Sequence, residues 1–354
     1  MSIPFSKSEL TIMGKYGNAA ILNTPITPRE NFIRAIRHQN PLWIPMKTDS
    51  INFAPRIYQD NIARAFVVEA NRYEGIVGGK DIFGVSWIYV PKVGGSMVKP
   101  GKPFLNDISE WEEKIYFPDL EVLDWQASAD ENNDYLKNSN KLVEIWIFNG
   151  FFERLISFLD FEDAAVALID EDQQEDVHKF FCALTDFYKK LIDKFAEYYA
   201  IDAIYFHDDW GSQRAPFFSI ETCREMLVPY LKELVDHVHS KGLLFDFHSC
   251  GKCDELAPAM VECGMDMWGG QPMNDKPMLI DTYGKDILIG IHDLYRPGVQ
   301  AIPDDDKELY RQVEEFLEPI SKEIKMKPFY IANLRPDDRV IAAFYECTRK
   351  LLNE

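Results

Sequence analysis

An α/β fold, a (β/α)8 TIM barrel with an irregular hairpin insertion over its mouth, is predicted for this chain by three observations. Short apolar runs stop abruptly at polar or glycine residues, long amphipathic stretches separate them, and no glycine-rich dinucleotide fingerprint appears anywhere. The strand-like runs come in order as LWIPMKTD (42–49), VEIWIFNG (143–150), DAIYFHDDWG (202–211), LLFDFHSCG (243–251), MDMWGG (265–270), DILIGIHD (286–293) and KPFYIAN (327–333). Residues 173–200 set Val177, Phe181, Leu184, Phe187, Leu191, Phe195 and Tyr198 on one helical stripe, with charged residues filling the other face. Ser219 reads as the N-cap of a following helix that carries Met226, Tyr230 and Leu234 and bends at Pro229. Residues 81–125 break the alternation with Trp87, Trp111, Trp125, a GGS turn and PGKP, and read as a hairpin with irregular cover. The whole of 1–354 is therefore expected to form one barrel domain, with its chemistry at the C-terminal ends of the strands.

Composition narrows the classes of function. The 354 residues are 46% hydrophobic and 27% charged, enough apolar material for a large core and no signature of disorder. A formal net charge of -20 repels nucleic acid and anionic lipid, so neither is an expected partner. No apolar run is long enough to span a bilayer and no basic-then-apolar leader opens the chain, so a cytoplasmic location is expected. Six cysteines in a chain of this length are too few for a disulfide scaffold, and reduced thiols are the default. Cys182 and Cys263 read as core residues of helices.

Three strand ends gather polar groups that core packing does not require: His207, Asp208, Asp209 and Trp210; His248 and Cys250; His292 and Asp293. A single strand-end carboxylate or imidazole often caps the next helix or ties a loop, but three such clusters on one side of a barrel point to a site. The His248-x-Cys250 pair stands out, because imidazole nitrogen and thiolate sulfur suit zinc and an extended backbone turns both side chains the same way. Catalytic zinc needs a third protein ligand, and no second paired motif supplies one. His207 on a neighbouring strand is a candidate, whereas Cys253 reads as a small buried residue in the first turn of the next helix.

The segment AIYFHDDWGSQRAPFFSIETCREMLVPYLKELVDHVHSKGLLFDFHSCG, followed by GMDMWGGQPMNDKPMLIDTYGKDILIGIHD, resembles the uroporphyrinogen decarboxylase superfamily, as do TPRENFIRAIRHQNPLWIP and DIFGVSW. That resemblance implies the (β/α)8 barrel. Decarboxylases of the superfamily resemble one another in an RQAGR-type loop after the first strand and an NLGHG-type turn after the last. Here those places read MKTDSINFAPR, with Lys47 and Arg56 as the nearby cations, and YIANLRPDD. Asp81 alone sits where the decarboxylases keep a catalytic aspartate. The HSCG strand end is instead similar to the corrinoid-dependent methyltransferase branch, whose members hold zinc with such a pair, which assigns the metal to His248 and Cys250. Where some members add a cysteine after the final strand this chain has Ala332 and Asn333, and Cys347 lies far down the last helix, so the third ligand stays open. DIFGVSWIYVPKVGGSMVKPGKP resembles the methoxyaromatic O-demethylase methyltransferases.

What the resemblance implies is a methyl group passed from a small methylated substrate, such as an aromatic methyl ether, to a corrinoid (cobalamin) on a separate protein. Zinc would stabilise the charge developing on the leaving oxygen. Asp208, Asp209, Gln271 and Asp81 are the candidate catalytic and orienting groups, and Trp87, Phe148, Asn149, Phe151 and Trp210, with Phe152, the candidate substrate-binding residues. The partners expected are a corrinoid protein and a small methyl donor, with a homodimer as an open alternative to a monomer. Decarboxylation of a tetrapyrrole without metal, and a barrel that binds a ligand without turning it over, are the competing readings.

Overall fold

The computed structural model describes residues 3–92, 94–295 and 298–353. Twelve strands are found among them: β1 (Ile12–Tyr16), β2 (Ala19–Leu22), β3 (Ser50–Phe53), β4 (Gly79–Lys80), β5 (Ser86–Val90), β6 (Gly95–Val98), β7 (Leu142–Ile147), β8 (Ala203–His207), β9 (Leu244–His248), β10 (Met267–Trp268), β11 (Leu288–His292) and β12 (Phe329–Asn333). Neighbouring strands in parallel sheet run in the order β9-β8-β7 in one part of the chain and β12-β11-β10 in another. The fold is α/β of the TIM-barrel class. By packing, the chain divides into two compact units, one of residues 1–51, 139–142 and 266–354 and the other of 52–138 and 143–265.

In the second unit β7, β8 and β9 pair in parallel, with Trp146 opposite Tyr205, Tyr205 opposite Asp246, and His207 opposite His248. Every residue of β7 and of β8 is buried, as expected of parallel strands covered on both faces, which read as unbroken apolar runs. The amphipathic stripe forms the helix Gln174–Tyr198 and buries Val177, Phe181, Leu184, Leu191 and Phe195. Cys182 is exposed, contrary to the core reading, because it falls one position and about 100° past Phe181, off the stripe. Ser219 does cap the next helix, its hydroxyl accepting from the Thr222 N–H. The predicted bend at Pro229 is a full break: one helix spans Ile220–Met226, and a second, with Pro229 in its first turn, spans Val228–Ser240. Proline tolerates that first-turn position because its missing N–H would find no helical partner there.

The insertion contains the expected hairpin. β5 and β6 pair antiparallel, Trp87 opposite Val98 and Val90 opposite Gly95, and β4 joins β5 to make a three-stranded sheet.

In the first unit β10, β11 and β12 run parallel, Met267 opposite Leu288 and Ile289 opposite Phe329. The first predicted strand, 42–49, is reduced to a single parallel bridge from Met46 to Ile331, after which Lys47–Asp49 turn as a 3-10 helix and β3 begins at Ser50. Asp49 breaks the strand. Its carboxylate accepts from the Met46 N–H (3.0 Å) and the Trp43 indole N–H (3.0 Å), which closes a turn that an extended run would leave unmade.

Candidate metal centre

The centre begins with a turn. β7 leaves through Asn149, held in the left-handed region (φ 59), into Gly150, where a Cβ would lie 2.4 Å from that of Asp208. The helix Phe151–Leu159 therefore starts on a residue that offers no side-chain cap. Asp208, one residue past the end of β8, supplies the cap from outside: its carboxylate accepts from the N–H groups of Phe152 (3.1 Å) and Glu153 (2.8 Å), and from the Trp210 indole (3.0 Å). Burial, reinforced by Glu153, pushes the Asp208 carboxyl up to about 7 against those hydrogen bonds. Asp208 is wholly buried and occupied, so it positions the helix start and does not face a substrate.

That cap fixes Glu153 in the first helical turn. One Glu153 oxygen meets His207 Nδ1 at 2.7 Å and the other accepts from Arg64 at 2.9 Å. With Nδ1–H donated to the carboxylate, His207 presents its Nε2 lone pair to the opposite side. The His207 and His248 rings stack with centroids 4.7 Å apart, His248 Nε2 lies 3.5 Å from Cys250 Sγ, and Asp209 accepts from the Cys250 N–H at 2.7 Å. One ligand atom from each of His207, Asp209, His248 and Cys250 falls within 4.8 Å of all the others, a group that can hold a metal ion such as zinc.

The surrounding acids favour the protonated forms of both donors, which a metal ion would have to displace. Burial works against the His207 imidazolium, but Glu153 and Asp209 outweigh it and raise the pKa. Burial pushes the Cys250 thiol up, and the neighbouring Asp209 and Glu153 carboxylates push it further. Acids crowd the thiol and outweigh the smaller opposing effect of Arg64, and a divalent ion bound there would reverse the sign of that field. His207 is thus brought to the pair that sequence had already joined. Cys253 is buried at the start of the 3-10 turn Asp254–Leu256, its thiol donating to the Cys250 carbonyl, as its core reading anticipated.

Two loops must cross closely for this to happen. Gly251 adopts φ +87, and a Cβ there would sit 2.1 Å from the Gly211 carbonyl oxygen; a Cβ on Gly211 would meet Cys253 Sγ at 2.7 Å.

The structure places the other sequence candidates as follows. Asp81 accepts from the Phe83 (3.0 Å) and Val85 (2.9 Å) N–H groups, the Trp87 indole (3.0 Å) and Arg154 (2.6 Å). Arg154 is fully buried and also ion-paired with Asp60. Asn149 is buried as well, donating to Asp60 (3.1 Å) and accepting from Arg64 (2.6 Å). Phe151, Phe152 and Trp210 have no exposure and belong to the core. Phe148 packs with Trp146 and Tyr205 beside the His207 ring, 5.2 Å away. Gln271, in the other unit, follows β10, where its carbonyl accepts from Asn274. His292 ends β11 in that unit, and the Asp293 carboxylate accepts from the Arg335 N–H at 2.8 Å. Glu153 and Arg64 were missed. An acid three residues after Gly150 in FNGFFER marks a first helical turn, and nothing in sequence says that it reaches His207.

A cavity of about 710 Å³ opens beside the centre, lined by Arg64, Trp87, Glu153 and Asp209 and by the hairpin segment 96–104. Residues 160–335 match the family described as Uroporphyrinogen decarboxylase (URO-D). That stretch is the part of the chain that the likeness covers. It contains His207, Asp209, His248 and Cys250; Arg64, Trp87 and Glu153 lie outside it. Among solved structures, a methyltransferase from Methanosarcina mazei is 13% identical, with 91% of this chain and 99% of that one aligned at a TM-score of 0.60. A xylose isomerase-like TIM barrel protein from Mycobacterium smegmatis in complex with magnesium is also 13% identical, over 66% of this chain and 80% of that one, at 0.33. The first of these likenesses is one of fold. No curated protein matches the chain. Among the described residues no helix is long and apolar enough to cross a membrane.

Proposed function

We propose that this chain is a methyltransferase of the URO-D family that moves a methyl group from a small aromatic methyl ether to a corrinoid carried by a partner protein. The observation that carries the reading is the cluster of His207, His248, Cys250 and Asp209 at adjacent strand ends beside a cavity walled by Trp87 and the hairpin. His207, His248 and Cys250 are three nitrogen and sulfur donors that would suit a catalytic zinc with its fourth position open, and Asp209 stands beside them. Bound there, zinc would supply Lewis-acid stabilisation of the charge that develops on the leaving oxygen. The chain's own groups prepare that position. Glu153 fixes the tautomer of His207, Asp208 holds Glu153 in place, and Asp209 anchors the Cys250 backbone. Trp87, buried apart from the face it turns to the cavity, offers a ring surface to an aromatic substrate. Asp81, spent on Arg154 and its own turn, is not available as the aspartate a decarboxylase would use.

The test has two parts. Metal analysis of the purified protein should give about one zinc per chain, lost in a His248→Ala, Cys250→Ala double variant and weakened in mild acid, since both ligands bind deprotonated. A panel of methoxyarenes and methylamines mixed with reduced corrinoid protein should then change the corrinoid absorbance, and His248→Ala should slow that change by roughly 10² or more. Silence across the panel together with carbon dioxide release from uroporphyrinogen would replace this reading with decarboxylation.

A further inference from the structure

The cavity beside the metal centre carries a cationic wall in a chain whose net charge is -20. Arg64, Lys99 and Lys102 line it, and so do three carboxylates, Glu153, Asp160 and Asp209. The carboxylates are occupied. Glu153 serves both His207 and Arg64, Asp209 accepts from the Cys250 N–H, and Asp160 caps the helix Phe161–Ala167 through the Asp163 N–H. The cations are not matched in the same way. Neither lysine has an ion-pair partner among the described residues, and Arg64 uses one nitrogen, Nη1, for both Asn149 and Glu153.

Arg64 is also held in place. Its guanidinium carbon lies 5.0 Å from the Trp87 ring centroid and 5.0 Å from that of Phe148, so the planar fork packs against two rings, and Arg64 lines the cavity. A fixed, weakly hydrated guanidinium is the group best shaped to take a planar carboxylate through two parallel hydrogen bonds. Lysines on a low-dielectric cleft wall draw anions toward it. The wall also includes Trp87, Met97, Phe104, Phe161 and Phe217, which suit a flat apolar body.

We propose that the cavity is a binding site for a small aromatic acid, with Arg64 as the carboxylate anchor and Lys99 and Lys102 as steering charges. This deepens the methyltransferase reading by naming the substrate class, a methoxylated aromatic carboxylate, but as a binding site it stands without turnover. The experiment therefore measures binding alone, following intrinsic tryptophan fluorescence and isothermal titration of the full chain with benzoate, with benzamide as its neutral counterpart, and with coproporphyrin as a larger polycarboxylate. Benzoate should bind about tenfold or more tighter than benzamide, and the preference should shrink with added salt. Arg64→Met should abolish the preference and Arg64→Lys should keep part of it. Because Arg64 also supports Asn149 and Glu153, a Lys99→Ala, Lys102→Ala variant is the companion: it should lower benzoate affinity and its salt dependence and leave benzamide unchanged. Equal binding of benzoate and benzamide, binding of neither, a preference that survives Arg64→Met, or tighter binding of coproporphyrin would each overturn the proposal. Failure of methyl transfer with benzoate still bound would count against the methyltransferase reading alone.

Discussion

Asp208 and Asp209 are neighbours with opposite duties, and the parity of the strand decides which has which. Along β8 the side chains of Tyr205 and His207 share a face, so Asp209 returns toward that face while Asp208 turns under the helix start. The same alternation puts Asp246, His248 and Cys250 together. His248 and Cys250 were legible in sequence because the spacing of two is itself the geometric statement. Glu153 was not, because its contact with His207 spans 54 positions and depends on a cap supplied by Asp208. If Glu153 fixes the metal-facing nitrogen of His207, Glu153→Gln should weaken zinc binding by roughly 10- to 100-fold in competition with a chelator, with the far-ultraviolet spectrum unchanged. Asp81 carries a different expectation. Arg154 is buried between Asp60 and Asp81, so Arg154→Met would strand two acids without their cation and should cost about 3–5 kcal/mol of unfolding free energy in urea titration.

Elements were read well where a pattern was self-contained and poorly where a neighbour intervened. β8, β9, β11 and β12 announce themselves as apolar runs that end on a polar residue, and each lies within its predicted segment. The segment 42–49 has the same look, yet Asp49 pulls its end into a 3-10 turn and β3 takes up the extended course four residues after Met46. The hairpin was legible from its turn signal, while its service as a cavity wall depends on contacts that sequence leaves silent. The crossing of the loops after β8 and β9 is a similar case: glycines are visible at 211 and 251, but their approach is not. Gly251→Ala places a Cβ against the Gly211 carbonyl at a φ that side chains rarely adopt, so it should destabilise the chain by more than about 1 kcal/mol and move Cys250. The expected result is a lower Tm together with loss of zinc, and an alanine variant with full zinc content and an unchanged Tm would mean that the loops have room to part.

At the scale of the whole molecule, the fold class was legible because strand and helix periods alternate along the chain, and the charge was legible because it is a count. The division of 354 residues into two compact units was not, since the boundaries at 51–52 and 142–143 fall inside strands, 265–266 just before one, and 138–139 at the end of the helix Trp125–Asn138. Stability against pH is set by groups whose environment changes on folding, and net charge alone does not reveal them. His38 is one. It follows the helix Pro28–Ile36 in the left-handed region (φ 53), and its Nδ1 is buried with no hydrogen-bond partner among the described residues. Burial lowers its pKa below the usual 6.5, against smaller opposing effects from a backbone hydrogen bond at Met326 and from Asp286. The unfolded chain therefore binds a proton more readily than the folded one. Stability from this group is complete above the unfolded pKa and is lost as pH falls through 6.5 toward the lowered folded value. His38→Asn keeps a residue that tolerates the left-handed conformation and removes the titrating ring. Between pH 7.5 and 5.5 the Tm of the native chain should accordingly drop further than that of the Asn variant, compared by scanning calorimetry in one buffer system at fixed ionic strength. Parallel Tm profiles for the two proteins would assign the acid sensitivity to other groups.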